Sequence, residues 1–525
     1  MNHSDFPWLS ILLFFPVVAA LIVAFGSKRA TVGEEQEEGP RNTVRFLALG
    51  FALIELVLSI VVACGFRSGD GMQFVESHEW IKAFGAHYAL GIDGLGLSLV
   101  LLTTALTPIV IVAGWYDGVS RADGVKPRWN QNSFFAWMLA LESLAIGCFI
   151  ATDVFLFYVL FEVVLLPVYF LIGGFGGKKR AQAATKFLLY SLTGGLILLA
   201  AVIGVYVESA HALGHPSYLL SDLAQVEWST VAGRWMFIAF FIAFAIKAPL
   251  FPVHTWLPDA CEEASPGTNT MLVSVLDKIG SFAMIRFGLE LFPDAARWAT
   301  PVIVVFAIIS IIYGALMAIG SDNIWRLIAY TSVSHFGFIV LGIFVMNSQG
   351  LGGADLYMVA HGLSTAAIFL VGGYLVRRHG TASIRAYAGI EKKAPVLAGM
   401  FLIACLSLLS LPGLSPFVPE LLVIIGAFVH SPWAAGFAVS GIVLAAIYAL
   451  LAYQRTMTGP TPSELESVPD LDRREVVAIA PVMIALIVLG FFPQLLMGIL
   501  NPSVDHTLER VAVTTSISSH VGGQQ

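Results

Sequence analysis

The sequence predicts an all-α polytopic membrane protein, and three observations support this fold class. Of 525 residues, 57% are hydrophobic and only 12% are charged, and the mean hydropathy is +0.82, more than a soluble core needs. The apolar residues fall into segments close to the ~20 residues that cross a bilayer as a helix. Proline and glycine interrupt two of these segments, at 247–258 and 411–416. We therefore expect a bundle of membrane-spanning helices, two of which are discontinuous.

A window of about 19 residues locates fourteen candidate spans. The run 134–173 is too long for one crossing at about 1.5 Å per residue, and Ala151-Thr152-Asp153 predicts a turn that divides it. The run 395–430 is also too long, and it is interpreted as one broken helix because it contains Leu411-Pro412-Gly413. The predicted spans are 8–26, 43–65, 90–114, 134–151, 154–173, 184–208, 235–258, 268–291, 299–319, 326–347, 354–376, 395–430, 436–454 and 475–497.

Lysine and arginine are distributed unevenly between the two sets of loops. Of the 28 basic residues, 20 lie in loops that follow odd-numbered spans and five on the other side, while Lys247, Lys278 and Arg286 fall inside spans. Loops rich in Lys and Arg remain in the cytoplasm. We therefore expect a multi-pass membrane protein with both termini outside.

The two broken helices are the seventh and twelfth spans, an odd number of spans apart. This offset places related segments in opposite orientations, and inverted repeats with discontinuous helices are typical of transporters. We expect three amino-terminal helices in 1–133 and a first five-helix repeat in 134–298, which contains helices 4 to 8. A second, inverted repeat follows in 299–458, and 459–525 contains the last span and a short outer tail.

The seventh span contains the most unusual stretch of the chain, in which Pro249, Pro252 and Pro258 follow Lys247. A lysine near the bilayer centre costs several kcal/mol and persists mainly where it faces a polar interior or an ion path. Proline removes a backbone donor, and lipid tolerates the resulting break only where protein or water satisfies the freed groups. The stretch predicts a buried, hydrated and titratable site.

Six ionisable residues lie about seven to twelve residues from the nearest loop in their own spans, near one middle depth. Independent structural polar residues would be scattered in depth. A row at one depth across neighbouring spans predicts a polar axis parallel to the membrane plane. The six residues are Glu162, Lys247, Lys278, His335, His361 and Glu420.

Structural roles are the alternative for each of these residues. Glu162 and Lys247 also fit a simple ion pair, and a lone intramembrane histidine is more often a packed core residue. Proton handling is favoured for Lys247 because burial disfavours its charged form, which a nearby carboxylate restores. Glu142 in the fourth span is a minor candidate at a shallower register, and Asp277 beside Lys278 is another.

Four stretches resemble the antiporter-like subunits of the proton-pumping NADH:quinone oxidoreductase, respiratory complex I. They are Lys247 to Asp259, Phe161-Glu162-Val163-Val164-Leu165-Leu166-Pro167, Arg326 to Gly337 and Ala360-His361-Gly362-Leu363-Ser364. The resemblance implies that Glu162 pairs with Lys247, that Lys278 links two half-channels, and that Glu420 serves the outward half. It also implies proton uptake from the cytoplasm through relay histidines, which would be His254, His335 and His361.

Asp277 departs from the family pattern, which has an apolar residue before the lysine. Adjacent helix positions diverge by about 100°, so Asp277 need not pair directly with Lys278. If Asp277 faces the axis, it changes the proton affinity of the lysine. Trp325 also replaces a basic residue, and 415–419 is richer in proline than the family pattern.

The chain lacks the ligands of a redox cofactor. Cys64, Cys148, Cys261 and Cys405 are far apart, without a C-x-x-C pair for a metal or an iron–sulfur cluster. The glycine-rich stretch 173–179 lacks the spacing of a phosphate-binding loop. We expect no cofactor and no metal in this chain, so that flavin, iron–sulfur clusters and quinone belong to partner subunits.

The expected partners are the lipid bilayer and other membrane-arm subunits of complex I, including further antiporter-like subunits, and not nucleic acid. The main alternatives are a subunit of a multi-subunit cation/proton antiporter and the membrane arm of a hydrogenase. A structural spacer with an inactive channel is the third. After Phe492-Pro493 we expect only a short polar tail, without room for a long lateral helix.

Overall fold

The computed structural model describes residues 6–25, 38–119, 121 and 123–521. This part of the chain forms one antiparallel hairpin, β1 (Gln73–Ile81) and β2 (Ala86–Ile92), and a set of α-helices. The helices are α1 (Trp8–Phe25), α2 (Glu38–Gly65), α3 (Gly94–Ala113), α4 (Gln131–Ile150), α5 (Val154–Val163), α6 (Leu165–Phe175), α7 (Arg180–Leu213), α8 (Leu220–Leu223), α9 (Thr230–Lys247), α10 (Trp256–Glu263), α11 (Pro266–Met271), α12 (Asp277–Ala283), α13 (Pro293–Gly320), α14 (Ile324–Phe344), α15 (Ser348–His379), α16 (Pro395–Leu408), α17 (Phe417–His430), α18 (Pro432–Met457), α19 (Arg473–Phe491) and α20 (Gln494–Val521).

Twelve spans in the described part of the chain are long and apolar enough to cross a membrane. They coincide with twelve of the predicted spans, and Val154–Phe175, formed by α5 and α6, is one of them. The predicted turn at 151–153 is confirmed, because the Asp153 side chain accepts a hydrogen bond from the Leu156 backbone N–H (2.9 Å) and caps α5. The predicted eighth span is a helix with two π-helical turns and the predicted twelfth is discontinuous, so a total of fourteen crossings stays a prediction.

Hydrogen bonds between loops show which loops lie together at each of the two ends of the bundle. At one end the backbone N–H of Gly177 donates to Glu263 O (2.9 Å), and at the other the N–H of Val154 donates to Tyr218 O (2.9 Å). The loops at each end are those that the sequence analysis assigned to the same side of the membrane. We call the two ends the basic end, which contains 114–119, 121, 123–130, 176–179, 321–323 and 458–472, and the hairpin end, which contains 66–93, 151–153 and 214–229.

The β-hairpin corrects the expectation of an all-α chain. The predicted third span, 90–114, begins later, as α3 at Gly94, because 86–92 pair with β1. The hairpin is fixed by buried polar contacts, since the Glu76 carboxylate accepts from the Leu9 N–H (2.8 Å) and from the Ser10 hydroxyl. It therefore covers the beginning of α1.

Both predicted broken helices are discontinuous. The seventh stops at Lys247 and resumes at Trp256, and the twelfth stops at Leu408 and resumes at Phe417. The proline-rich entry of α17 fits this geometry, because Pro419 lies in the first helical turn, where no intrahelical N–H is needed.

The two breaks begin with the same backbone hydrogen bond. Leu250 N–H donates to Ala245 O (3.0 Å), and Leu411 N–H donates to Leu406 O (3.1 Å). In each case the donor is the third residue after the helix and the acceptor is two residues before its end. The two breaks therefore begin with the same local backbone geometry, while the inverted relation of the repeats stays a prediction.

The predicted short tail is wrong, because 494–521 form a helix, α20, of 28 residues. It lies across the hairpin end, where Ser68 Oγ donates to Gly498 O (2.5 Å) and the Gly94 N–H donates to Ser503 Oγ (3.1 Å). Its buried residues recur at helical spacing although the segment is polar on average, which is why hydropathy alone did not predict it. These residues are Leu500, Val504, Thr507 and Val511.

Candidate functional site

Six helices bring the predicted axis residues into one row through the interior. Glu162 comes from α5, Lys247 from the end of α9, and Lys278 from α12. The remaining three, His335, His361 and Glu420, come from α14, α15 and α17. Five of the six are almost fully buried, while Glu162 is half-buried at the surface of the chain.

Lys278 makes close contacts with the second half of the row. Its Nζ lies 2.7 Å from His361 Nδ1 and donates to Val273 O at 2.6 Å. Val273 belongs to a π-helical turn, 272–276, which directly precedes α12. Such turns widen a helix locally and recur at functional sites. The amine of Lys278 is thus held between a helix carbonyl and an imidazole.

His361 and His335 continue this row, with ring centroids 5.2 Å apart. His335 Nε2 lies 3.1 Å from Leu408 O and 3.2 Å from the Tyr448 hydroxyl. Leu408 is the last residue of α16, so the break in the helix leaves its carbonyl free to accept this bond. The broken helix therefore supplies a backbone ligand to a buried histidine.

Glu420 ends the row and is held by two hydroxyl groups. The Tyr357 hydroxyl donates to Glu420 Oε2 (2.7 Å), and the Ser410 hydroxyl donates to the same oxygen. The Tyr357 ring lies 5.9 Å from the His335 ring, so it connects the histidines with the carboxylate. Sequence reasoning missed Tyr357, Ser410 and Tyr448. The sequence spacing could have indicated Tyr357, since it precedes His361 by four residues and lies on the same face of α15.

The first half of the row has fewer direct contacts. Lys247 Nζ lies 3.4 Å from Phe161 O and 4.5 Å from the centre of the Phe161 ring. Glu162 and Lys247 interact electrostatically, but among the described residues no salt bridge within 4.0 Å joins them. The Glu162 carboxylate lies against Gly195 of α7, where an added Cβ would collide with it.

His254 lies apart from the row that contains the other two histidines. It is buried in the first break, and its ring contacts those of Phe251 and Tyr313, with centroids 5.9 and 5.1 Å away. Neither ring nitrogen has a hydrogen-bond partner in the described part of the chain. The structure thus does not bring His254 into contact with His335 or His361.

A cluster of charged residues lies between His254 and the basic end. Asp259 binds Lys186 (2.6 Å) and Arg326 (2.8 Å), and Arg326 also binds Glu262 (2.8 Å). Sequence reasoning quoted Asp259 and Arg326 inside motifs but did not predict that they meet.

The minor candidate Glu142 lies in a separate buried pair. Glu142 on α4 interacts electrostatically with Glu55 on α2, and both side chains are fully buried. None of the four carboxyl oxygens has a hydrogen-bond partner among the described residues. Glu55 was missed, although it is the one acidic residue within 43–65.

A further ion cluster supports the hairpin end. Arg286 binds Asp93 (2.5 Å) and Glu290 (3.2 Å), and Thr507 of α20 donates to Glu290 (2.9 Å). Burial alone would raise the pKa of Asp93, but the Arg286 guanidinium outweighs burial and holds that pKa below its ordinary value. Arg286 inside the eighth predicted span is therefore a structural cation with two carboxylate partners.

The fold and the row of buried titratable groups define an antiporter-like membrane protein with two discontinuous helices. Residues 151–445 match the family described as NADH:quinone oxidoreductase/Mrp antiporter, TM. The NADH-quinone oxidoreductase subunit M of Mycobacterium tuberculosis is 45% identical over 97% of this chain and 95% of its own length. The subunit M of Rhodobacter capsulatus is 36% identical over 95% of this chain and 96% of its own.

Solved structures give the same result. A chain of respiratory complex I from Thermus thermophilus matches with a TM-score of 0.84 and 30% identity, over 96% of this chain and 99% of that one. A chain of the Mrp complex from Dietzia sp. matches with a TM-score of 0.81 at 21% identity, over 96% and 98%, which shows a common fold. The chain belongs to the family of NADH-quinone oxidoreductase subunit M, the antiporter-like membrane-arm subunits of complex I.

Proposed function

We propose that this chain translocates protons as a non-redox membrane-arm subunit of an NADH:quinone oxidoreductase. The observation that supports it most is the contact chain from Lys278 through His361, His335 and Tyr357 to Glu420. Each member can bind or release a proton, and the chain connects the interior of the bundle with the second broken helix. Buried ionisable groups in such a row mark proton relays in membrane proteins.

In this proposal the basic end supplies protons to Lys247 along His254 and the charged cluster of Asp259, Lys186 and Arg326. Glu162 stabilises the ammonium form of Lys247 through its negative charge. A change in Glu162 or in its surroundings then determines whether Lys247 holds or releases its proton. Because Glu162 is half-buried at the surface of the chain, a neighbouring antiporter-like subunit can act on it directly.

The second half of the row carries the proton onwards. The Lys278 ammonium donates to His361 Nδ1, and His361 releases a proton from Nε2 towards His335. Tyr357 and Glu420 then accept it, and the proton leaves on the outer side of the cytoplasmic membrane, where both termini lie. Electron transfer from NADH to quinone drives this cycle, and flavin, iron–sulfur clusters and quinone bind to other subunits.

The test measures quinone-reductase activity and proton pumping by the assembled enzyme in sealed vesicles. Lys247→Ala and Lys278→Ala are compared with Lys178→Ala, a matched control at an exposed lysine of the basic end. The proposal requires that both buried variants assemble and lose pumping, with redox activity reduced in step, while the control behaves as wild type. Full pumping without Lys247 and without Lys278 would leave the fold and family untouched and overturn the translocation mechanism, in favour of a structural spacer.

The same vesicles test the ion. A multi-subunit cation/proton antiporter shares the fold, as the match to the Mrp complex illustrates. Pumping by this chain in a sodium-free buffer supports protons as the transported ion. A strict requirement for sodium would contradict it.

A further inference from the structure

Asp277 lies between the two buried lysines of the row. We propose that Asp277 is a positioning residue whose single negative charge is shared by Lys247 and Lys278 and determines how one proton is distributed between them. This inference rests on the proposed function and identifies the residue that connects the two halves of the axis.

The packing of α12 turns Asp277 towards the first break. Gly280 lies so close to α9 that an added Cβ would be 2.6 Å from both Phe244 O and Ala248 N. Asp277 precedes Gly280 by three residues, so both lie on the same face of the helix. That face is directed at the end of α9, where Lys247 is followed by the break.

Lys278, the next residue, points in a different direction. Adjacent positions on a helix diverge by about 100°, and the Lys278 amine lies against His361 of α15. Asp277 therefore faces the first half of the axis while Lys278 faces the second half. The charge of Asp277 nevertheless acts on both lysines.

In the described structure the two lysines are the groups that can compensate a charge on Asp277. The side chain is fully buried, and neither carboxylate oxygen has a hydrogen-bond partner among the described residues. The titratable groups within electrostatic range are Lys247 on α9, Cys261 on α10 and Lys278 on α12. A buried carboxylate is costly unless an opposite charge compensates it. One carboxylate can compensate one ammonium group at a time.

This arrangement couples the two lysines. When Lys247 holds the proton, Asp277 stabilises the ammonium group there and Lys278 is neutral. When the proton leaves Lys247, one N–H bond breaks there and one forms on Lys278, and the same carboxylate stabilises the new charge. The negative charge thus connects two groups between which the described structure contains no hydrogen bond.

The experiment measures NADH-driven proton pumping and quinone reduction against pH in vesicles with the assembled enzyme. Asp277→Asn keeps the shape and removes the charge, so both lysines hold a proton less readily. We expect pumping at pH 7.5 to fall at least fivefold and the alkaline limb of its pH profile to move about one unit towards lower pH. Asp277→Glu restores the charge, so we expect it to recover most of the pumping and the wild-type profile.

Asp355→Asn is the matched control, because Asp355 is an equally buried acid whose charged neighbours are Asp93, Arg286 and Glu290. We expect no shift of the pH profile in this variant. A wild-type profile of Asp277→Asn, with Lys247→Ala inactive, would overturn the shared charge and leave the proposed function standing. If both lysine variants pump normally, the proposed function itself fails. Loss of pumping in Asp277→Glu as well as Asp277→Asn, with an unshifted profile of the residual activity, would also overturn the inference and indicate a packing role.

Discussion

The two halves of the buried axis are built differently. From Lys278 to Glu420 the side chains form close contacts, with amine, imidazole and phenol groups in sequence. Glu162 and Asp277 act on Lys247 electrostatically, and the closest polar contact of Lys247 in the described structure is a backbone carbonyl at 3.4 Å. In the proposed mechanism the second half conducts protons through fixed contacts, and the first half is the part in which a change of charge controls the proton.

The two helix breaks differ in the same sense. The first break leaves Ile246 O free, and the Trp256 indole N–H binds it (2.9 Å). The second leaves Leu408 O free, and His335 Nε2 binds it (3.1 Å). An indole N–H does not titrate, whereas an imidazole does. The same backbone geometry thus binds a group that does not titrate in one half and a titratable group in the other, and only the second fits the proposed proton transfer.

Interrupting the second half at its first contact has the largest expected effect. In His361→Phe the ring volume is kept, but the Lys278 amine loses its imidazole partner and the contact chain ends there. We expect proton pumping to fall at least tenfold with assembly intact, as for loss of a proton-transfer group. His215→Phe, at an exposed histidine of the hairpin end, is the control. Pumping above half of wild type in His361→Phe would show that the second half is not the route.

The carbonyl contacts at the two breaks provide the next comparison. His335→Phe removes a titratable group, and we expect pumping per assembled complex to fall about tenfold. Trp256→Phe removes a structural hydrogen bond worth about 1 kcal/mol, so we expect a lower melting temperature with unchanged pumping per complex. Both are measured on purified enzyme in vesicles. Equal effects on pumping would contradict the assigned difference between the breaks.

The position of Glu162 is tested at its neighbour Gly195. Gly195→Ala adds a Cβ that collides with the carboxylate and moves it, so the first half loses part of its electrostatic control. We expect about a fivefold decrease of pumping, which corresponds to about 1 kcal/mol. Gly399→Ala is the control, because a Cβ at Gly399 meets no atom within 4 Å. An unchanged proton-to-electron ratio in Gly195→Ala would show that the placement of Glu162 is unimportant.

The smallest expected effect concerns the end of the row. Tyr357→Phe removes one of the two hydroxyl donors of Glu420, while the Ser410 hydroxyl remains. A single hydrogen bond of this kind corresponds to roughly a threefold change in rate. The measurement is proton pumping in vesicles. Tyr190→Phe is the matched control, because it also removes one partly buried tyrosine hydroxyl, which is hydrogen-bonded to Thr255. A larger decrease in Tyr190→Phe would place the sensitive contact at the first break.

Hydropathy, basic-residue counts and proline positions predicted most of the fold, because lipid requires long apolar helices and permits breaks only at polar interiors. The common middle depth of ionisable residues in neighbouring spans also identified the five buried members of the row. This criterion could not identify Tyr357 or Tyr448, since a tyrosine in an apolar helix looks like a packing residue until the partner of its hydroxyl is known. The common depth did not include His254, which the family resemblance alone grouped with His335 and His361; its true position depends on tertiary contacts of the broken helix, which the sequence does not give.

The β-hairpin and α20 escaped prediction for another reason. Both consist of polar segments whose structure depends on groups elsewhere in the chain, such as Glu76 with the start of α1 and Thr507 with Glu290. Composition averages do not contain this information, whereas the recurrence of buried residues along α20 does.

The helix α20 has a consequence for biogenesis. It binds Gly94 at the start of α3 and contacts Ala224 through Arg510 (3.2 Å), and both of these residues are synthesised long before it. Because a chain enters the membrane from its amino-terminal end, the hairpin end stays uncovered until α20 emerges. Partner subunits that reach this end during synthesis therefore meet a surface that the finished protein no longer exposes.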